Sequence, residues 1–167
     1  GMFRQHQPMK MLALVAACGA AFSVLAADNP LLDRKYPFAY DLFRAEHVEP
    51  AIDALLAQAE ARRRAYVADR SAPTYENTMT ALEEMAADLD EAMTLARHLE
   101  GVASTPELRK AVAAVLPKYS AFDSSIVLDQ GIYARLKAFA ATEEAKSLTG
   151  ARKRFLEEKL ADFRRNG

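Results

Sequence analysis

The chain has 167 residues, enough for one domain with a real core, and Lys+Arg 22 against Asp+Glu 23 leaves a formal net charge of -1 at pH 7. Without a basic excess it lacks the surface that neutralises phosphates on DNA or RNA, so no nucleic-acid partner is expected. Few glycines, abundant Ala, Leu, Glu and Arg, and no alternating Val/Ile/Thr runs exclude a sheet-built fold and predict an all-α protein.

Lys10 leads an apolar run over residues 11–26, broken only by Cys18, Gly19 and Ser23, that closes on Val24-Leu25-Ala26-Ala27. This is the pattern of a secretory signal peptide over residues 1–27, with Val24 and Ala26 as the small residues before the cut. Cleavage is expected before Ala27 or Asp28, which makes Ala26 and Ala27 the processing residues. Met9 is then a better start than Met2, and Gly1 ahead of a methionine reads as a remnant of cloning. The run is shorter than the ~20 apolar residues that span a bilayer, which ranks a retained membrane anchor below secretion. Val15-Ala16-Ala17-Cys18 loosely matches a lipoprotein attachment box. It is the lesser alternative, because residues 19–26 stay apolar where a lipoprotein carries a polar tether. The expected location is secreted or periplasmic, free of the membrane once the signal is removed, with no cysteine left for a disulfide.

Residues 28–45 hold Pro30, Pro37 and the scattered aromatics Tyr36, Phe38, Tyr40 and Phe43, and predict an extended arm whose rings dock on the rest. Residues 46–167 predict a helical domain. Over residues 47–70 the apolar positions Val48, Ile52, Leu55, Leu56, Ala59, Tyr66 and Val67 recur every three or four residues, a first long helix with Pro50 tolerated in its first turn. Ser71-Ala72-Pro73 stops it, and Thr74 is the expected N-cap of a second helix striped by Met79, Leu82, Met85, Leu89, Met93, Ala96 and Leu99. Ser104-Thr105-Pro106-Glu107 is the best cap in the chain. It opens a third helix through Val112, Tyr119 and Ile126 that Pro117 is expected to bend or break. After a joint at Asp129-Gln130-Gly131 come a short fourth helix with Ile132, Leu136 and Phe139, and a fifth over residues 144–165 stopped by Asn166-Gly167. The expected architecture is an irregular bundle of about five helices in antiparallel hairpins, with the arm laid on it.

Three ordered blocks then carry a resemblance: Asn29-Pro30-Leu31-Leu32, Glu46-His47-Val48-Glu49-Pro50-Ala51-Ile52, and Pro73-Thr74-Tyr75-Glu76-Asn77-Thr78. With His98-Leu99, Thr105-Pro106-Glu107-Leu108-Arg109, residues 128–137 and the ending Leu160-Ala161-Asp162-Phe163-Arg164-Arg165-Asn166-Gly167, they resemble the N-terminal region of the thimet oligopeptidase, oligopeptidase A and peptidyl-dipeptidase family. The chain departs from the common pattern at Ala45, where a proline is usual, and at Glu100, where many relatives have an amide. The resemblance implies a two-lobed helical protein with a deep channel. Its catalytic lobe holds zinc through H-E-x-x-H plus a downstream glutamate, and water attacks a peptide bond with the motif glutamate as general base. The segment present here resembles part of the opposite lobe, which walls the channel and admits short unstructured peptides. Residues 124–137 are somewhat more similar to the peptidyl-dipeptidase branch.

The chain has no H-E-x-x-H, so no catalytic residue and no metal ligand is assigned, and zinc is expected only in a catalytic lobe absent from this sequence. His6, His47 and His98 include no pair at i, i+4; His47, between Glu46 and Glu49, reads as a helix-start histidine paired with a carboxylate. Ser124 and Ser125 lack a glycine-flanked elbow. Glu83, Glu84, Asp88, Asp90 and Glu91 read as a solvated face, as do Arg62-Arg63-Arg64 and Arg152-Lys153-Arg154. Candidates for contact with a peptide or an interface are His98, Glu100 and the methionines Met79, Met85 and Met93, for which core packing is the commoner use. The main reading is the non-catalytic, substrate-gating part of a secreted zinc oligopeptidase or peptidyl-dipeptidase, with short unstructured peptides or a catalytic peptidase lobe as partners. It expects apolar faces left exposed and hence self-association. The alternative is a stand-alone periplasmic module that binds peptides or a protein; a third is a split-chain complex with a separately encoded catalytic lobe.

Overall fold

The structure, a computed structural model, describes residues 29–36, 38, 40 and 43–166. The signal peptide with Ala26 and Ala27, the alternative at Cys18, His6 and the stop at Gly167 lie outside the described residues.

The described chain is all-α, with no strand among the described residues. The Asn29 side chain accepts from the Leu31 N–H at 3.1 Å and Pro30 takes the first helical position, so α1 (Pro30–Asp33) closes one turn before Arg34 at φ 32. Part of the arm expected to be extended is therefore helical, because a cap and a proline stand together there. Leu31 and Phe43 are buried and Phe38 half-buried, but Tyr40 is exposed and Tyr36 is 100% exposed, so only some of the rings dock.

A 3₁₀ turn, Ala45–His47, leads into α2 (Val48–Ala68). His47 Nδ1 accepts from the Arg44 backbone N–H at 2.9 Å, while Asn29 Nδ2 donates to the His47 carbonyl at 2.9 Å. The histidine thus caps backbone at the helix start, and among the described residues no carboxylate pairs with it. The second helix, expected as one piece, comes in three: a π turn at Glu76–Thr80, α3 (Ala81–Glu84) and α4 (Ala87–Val102). The break at Met85 and Ala86 marks a change of core. Met79, Leu82 and Met85 pack in one cluster, and Leu89, Met93, Ala96 and Leu99 in another.

Thr105 caps α5 (Pro106–Val127), its hydroxyl accepting from Leu108 N–H at 3.1 Å. α5 runs through Pro117 as continuous helix, without the break that the proline could have made. Both Pro117 and Ala113, whose carbonyl loses its partner, are exposed, so water can take the freed acceptor. α5 meets α6 (Gln130–Ala140) at 43°. Asp129 makes that joint, accepting from Gly131 and Ile132 N–H groups at 2.8 and 3.1 Å. No single helix among the described residues is long and apolar enough to cross a membrane. The last expected helix is also divided, into α7 (Glu143–Lys146) and α8 (Gly150–Asn166), because Thr142 caps the first and Gly150 sits at φ +60.

Five helices have eleven residues or more among those described, and they close two apolar cores. The first joins α2, α4, α5 and the arm through Ile52, Leu55, Met93 and Val115. The second gathers α6, α7, α8 and the π turn around Phe139, Leu136, Ile132 and Met79. α2 serves both, giving Val48 to Ala59 to one and Tyr66 to the other, and Ile126 packs against each. At roughly 1.5–3 kcal/mol for each large side chain fully buried, these two clusters dominate the gain on folding.

Candidate functional site

The most densely bonded polar centre lies where α2 ends, the π turn begins and α6 passes behind both. Thr74 caps as expected: Asn77 N–H donates to its hydroxyl at 3.1 Å and Asn77 Oδ1 accepts from Thr74 N–H at 2.8 Å. Asn77 Nδ2 donates to Ser71 Oγ and the Ala72 carbonyl at 3.2 and 2.9 Å. One side chain thereby ties the whole turn together.

Arg135 of α6 locks this turn to α2. Its Nη1 donates to the Asp69 carbonyl at 2.7 Å, and Nη2 donates to Asn77 O and Oδ1, both at 3.2 Å. Its guanidinium lies 5.0 Å from the Tyr66 ring centroid and pairs with the Asp69 carboxylate at 3.5 Å. Arg135 Nε is buried without a hydrogen-bond partner, so the fork is spent on the turn and the ring covers the rest. Tyr66 OH donates to the Thr78 carbonyl at 3.1 Å. Burial pushes its phenol up to about 12, against the pull of the Arg135 charge. Asp69 is held below the usual carboxylate range by hydrogen bonds from the Ser71 side chain and backbone.

Beside this centre an open groove of about 550 Å³ runs between α2 and the segment from Asn77 to Asp88. Arg62 crosses it, donating to the Glu84 carbonyl at 2.9 Å and pairing with Asp88 at 3.1 Å. Asp88 also accepts from Arg34 at 2.7 Å, and Arg34 reaches Glu91 at 2.9 Å. The basic and acidic runs read as solvated faces are thus partly an internal lattice: Arg62, Arg63, Asp88 and Glu91 all pair within the fold. Arg152 lies 4.4 Å from the Tyr75 ring centroid, while Lys153 and Arg154 are exposed.

Of the residues named as contact candidates, Met79, Met85 and Met93 are 0%, 2% and 2% exposed and fill the cores. Two cores meeting at the α3–α4 break take up most of that stripe, and of the three only Met85 also lines a cleft. His98 is exposed and Glu100 half-buried, both near the end of α4, and the geometry does not bring them to the Arg135 centre or to the groove. Among the described residues no three His, Cys, Asp or Glu side chains stand as metal ligands. His47 spends Nδ1 on the Arg44 backbone and His98 lies on a separate element, so this donor set does not fit a zinc site. The described arrangement holds the turn, α2 and α6 together beside an open groove.

Arg135 was not singled out from sequence; its signal was an arginine three residues after Ile132, inside the apolar face of the fourth helix. Asn77 lay within one of the three resemblance blocks, without an assigned role.

The family model for the neurolysin/thimet oligopeptidase N-terminal domain matches residues 52–167. Similar proteins include the organellar oligopeptidase A, chloroplastic/mitochondrial, of Arabidopsis thaliana, 33% identical over 138 residues, covering 81% of this chain and 17% of that protein. The probable cytosolic oligopeptidase A of the same plant is 31% identical over 136 residues, 81% of this chain and 19% of its own length. Oligopeptidase A of Escherichia coli (strain K12) is 29% identical over 142 residues, 83% of this chain and 20% of its own. The chain spans about a fifth of the length of the curated relatives it matches.

Proposed function

The chain belongs to the neurolysin/thimet oligopeptidase N-terminal domain family, and from that premise we propose that it is the substrate-gating portion of a secreted zinc oligopeptidase or peptidyl-dipeptidase, without catalytic residues of its own. The observation that carries this reading is colinearity: 81% or more of the chain aligns with oligopeptidases A, yet it accounts for only about a fifth of each. In such an enzyme zinc and the water-activating glutamate belong to a catalytic lobe outside this sequence. The part played here is to wall the approach, and two packed cores braced by Arg135 suit a rigid wall. The signal pattern over residues 1–27 supports export, with short peptides in the periplasm as the substrate class.

The test is the size of the native polypeptide in the periplasm of the source cells, blotted with antiserum against residues 87–102. The reading expects a band several times heavier than 18.4 kDa, in a fraction that cleaves short peptides and loses that activity to a chelator. A periplasmic band at the size of the short chain refutes it and leaves the stand-alone binding module.

A further inference from the structure

A cleft of about 330 Å³ opens on the far side of the α3–α4 break, between that break, the last turns of α5, and α8. Its floor is apolar: Leu82, Met85, Phe122, Ile126, Phe155 and Phe163 line it, with Tyr133 stacked behind Phe163 at 6.0 Å. Phe155 and Ile126 are only half-buried and form the accessible part of that floor.

The rim is acidic and unbalanced. Among the described residues that line it, Glu83, Asp90 and Asp123 stand against one cation, Lys159, whose ammonium lies 5.7 Å from the Phe155 ring centroid, while the Arg97 charge acts on Tyr119 beside Asp90. Among the described residues no ion pair reaches any of the three carboxylates, whereas Asp88 and Glu91, on the same stretch of chain as Asp90, pair with Arg34 and Arg62. Asp90 has only a hydroxyl, Tyr119 OH donating at 3.0 Å. Burial and the Asp123 charge both raise the Asp90 pKa, and burial lifts Tyr119 to about 12 with help from the Asp90 bond. The fold neutralises one acidic side of α4 and leaves the cleft side to something else.

We infer that this cleft takes a short stretch of peptide, seating an apolar side chain on Phe155 and Ile126 and setting an adjacent basic side chain against Asp90 and Asp123. Its volume is at the low end for ligand pockets, which suits a residue or two of an extended chain better than a folded partner. The Arg62 groove is the weaker host, since its own arginine and carboxylates already satisfy one another. The assignment rests on the reading that this chain handles peptides and adds a preference: apolar next to basic.

The experiment titrates the chain, by amide chemical-shift mapping, with acetyl-Phe-Arg-amide, acetyl-Phe-Glu-amide and acetyl-Gly-Arg-amide. The Phe-Arg probe is expected to bind at least tenfold more tightly than the other two, with shifts concentrated at Asp90, Asp123, Phe155 and Lys159. Asp90→Asn with Asp123→Asn, which keeps an acceptor for Tyr119, should abolish that preference, and Lys159→Gln should strengthen binding. Equal affinity for the Arg and Glu probes, shifts confined to the Arg62 groove, or no binding of any probe would each overturn the assignment. Shifts in the groove would overturn it while keeping peptide handling; no binding by a chain shown to be part of a working peptidase would place specificity elsewhere. Dimerisation without peptide that Asp90→Asn abolishes would give the cleft to a second copy and likewise refute it.

Discussion

Replacing Arg135 with alanine removes the clamp that joins α6 to the end of α2 and to the π turn, and its cost follows from the bonds that the guanidinium makes. Three charge-assisted donations go, to the Asp69 carbonyl at 2.7 Å and, shared by one Nη2, to Asn77 O and Oδ1, both at 3.2 Å. Hydrogen bonds from a charged donor contribute about 1.5–3 kcal/mol each, though neighbours in one network are not additive. The guanidinium over Tyr66 adds about 0.5–2 kcal/mol, and losing the orphaned Arg135 Nε returns part of the total. The expected net loss is about 2–4 kcal/mol, read from urea unfolding followed by circular dichroism. At roughly 2–4 °C per kcal/mol for a chain of this size, the thermal midpoint falls by about 5–15 °C. Arg135→Lys keeps the charge but not the fork and should recover less than half of the loss. Tyr66→Phe leaves the ring and deletes only the donor to the Thr78 carbonyl, costing about 1–3 kcal/mol. Because both residues hold one turn, the double variant should depart from additivity by more than about 0.5 kcal/mol. An Arg135→Ala protein within about 0.5 kcal/mol of the parent would refute the reasoning and leave the turn to Thr74 and Asn77 alone.

Three glycines separate by sign under replacement with alanine, checked by the same unfolding curves. At Gly131 a Cβ would come within 2.6 Å of Val67 Cγ1, so overpacking of about 1–3 kcal/mol outweighs the roughly 1 kcal/mol of helix propensity gained. Gly150, at φ +60, should lose about 1–2 kcal/mol from the left-handed backbone, whereas Gly101, with nothing within 4 Å, should gain about 0.5–1 kcal/mol. Pro117→Ala should stabilise α5 by about 1–3 kcal/mol, seen as a raised thermal midpoint, since the proline interrupts a helix that continues through it. In alkali the sign runs downward. Folding raises the Tyr66 pKa from 10.0 to about 12, so the folded chain holds a proton that the unfolded one has released across that window. The contribution is intact below pH 10 and is lost as pH climbs toward 12, on the order of 2 kcal/mol, and Tyr66→Phe should flatten the slope.

How much of this was readable in advance depended on the range of the interaction. Caps are local, and Thr74, Thr105 and the Asp129 joint all stand where the sequence put them, each accepting backbone N–H groups two or three residues on. The breaks were not readable, because they answer to partners far along the chain. Met79 to Leu99 keeps a helical period throughout, and only the presence of two cores explains why it parts at Met85 and Ala86. The same limit hid the site. Arg62 looked like surface charge until Glu84 and Asp88 came beside it, 22 residues and more away, and Arg135 acquires its role from Asp69 and Asn77, 66 and 58 residues back. Met79, Met85 and Met93 all turn inward, in keeping with their commoner use, and the stripe that predicts this records which side is inward, not what waits on the other side.

The packing also changes which experiment separates the two functional readings. A piece of a larger enzyme is expected to show apolar faces and self-association. Among the described residues, however, the large apolar side chains left exposed are Tyr36, Tyr40, Val102, Leu116 and Leu128, spread over the arm, the end of α4, the middle of α5 and the joint after it. Two cores whose central side chains are 0% exposed suit either kind of protein. Solution behaviour of the short chain therefore does not divide them. What does is a measurement outside it: the mass of the native polypeptide, and whether a zinc-dependent activity travels with that mass.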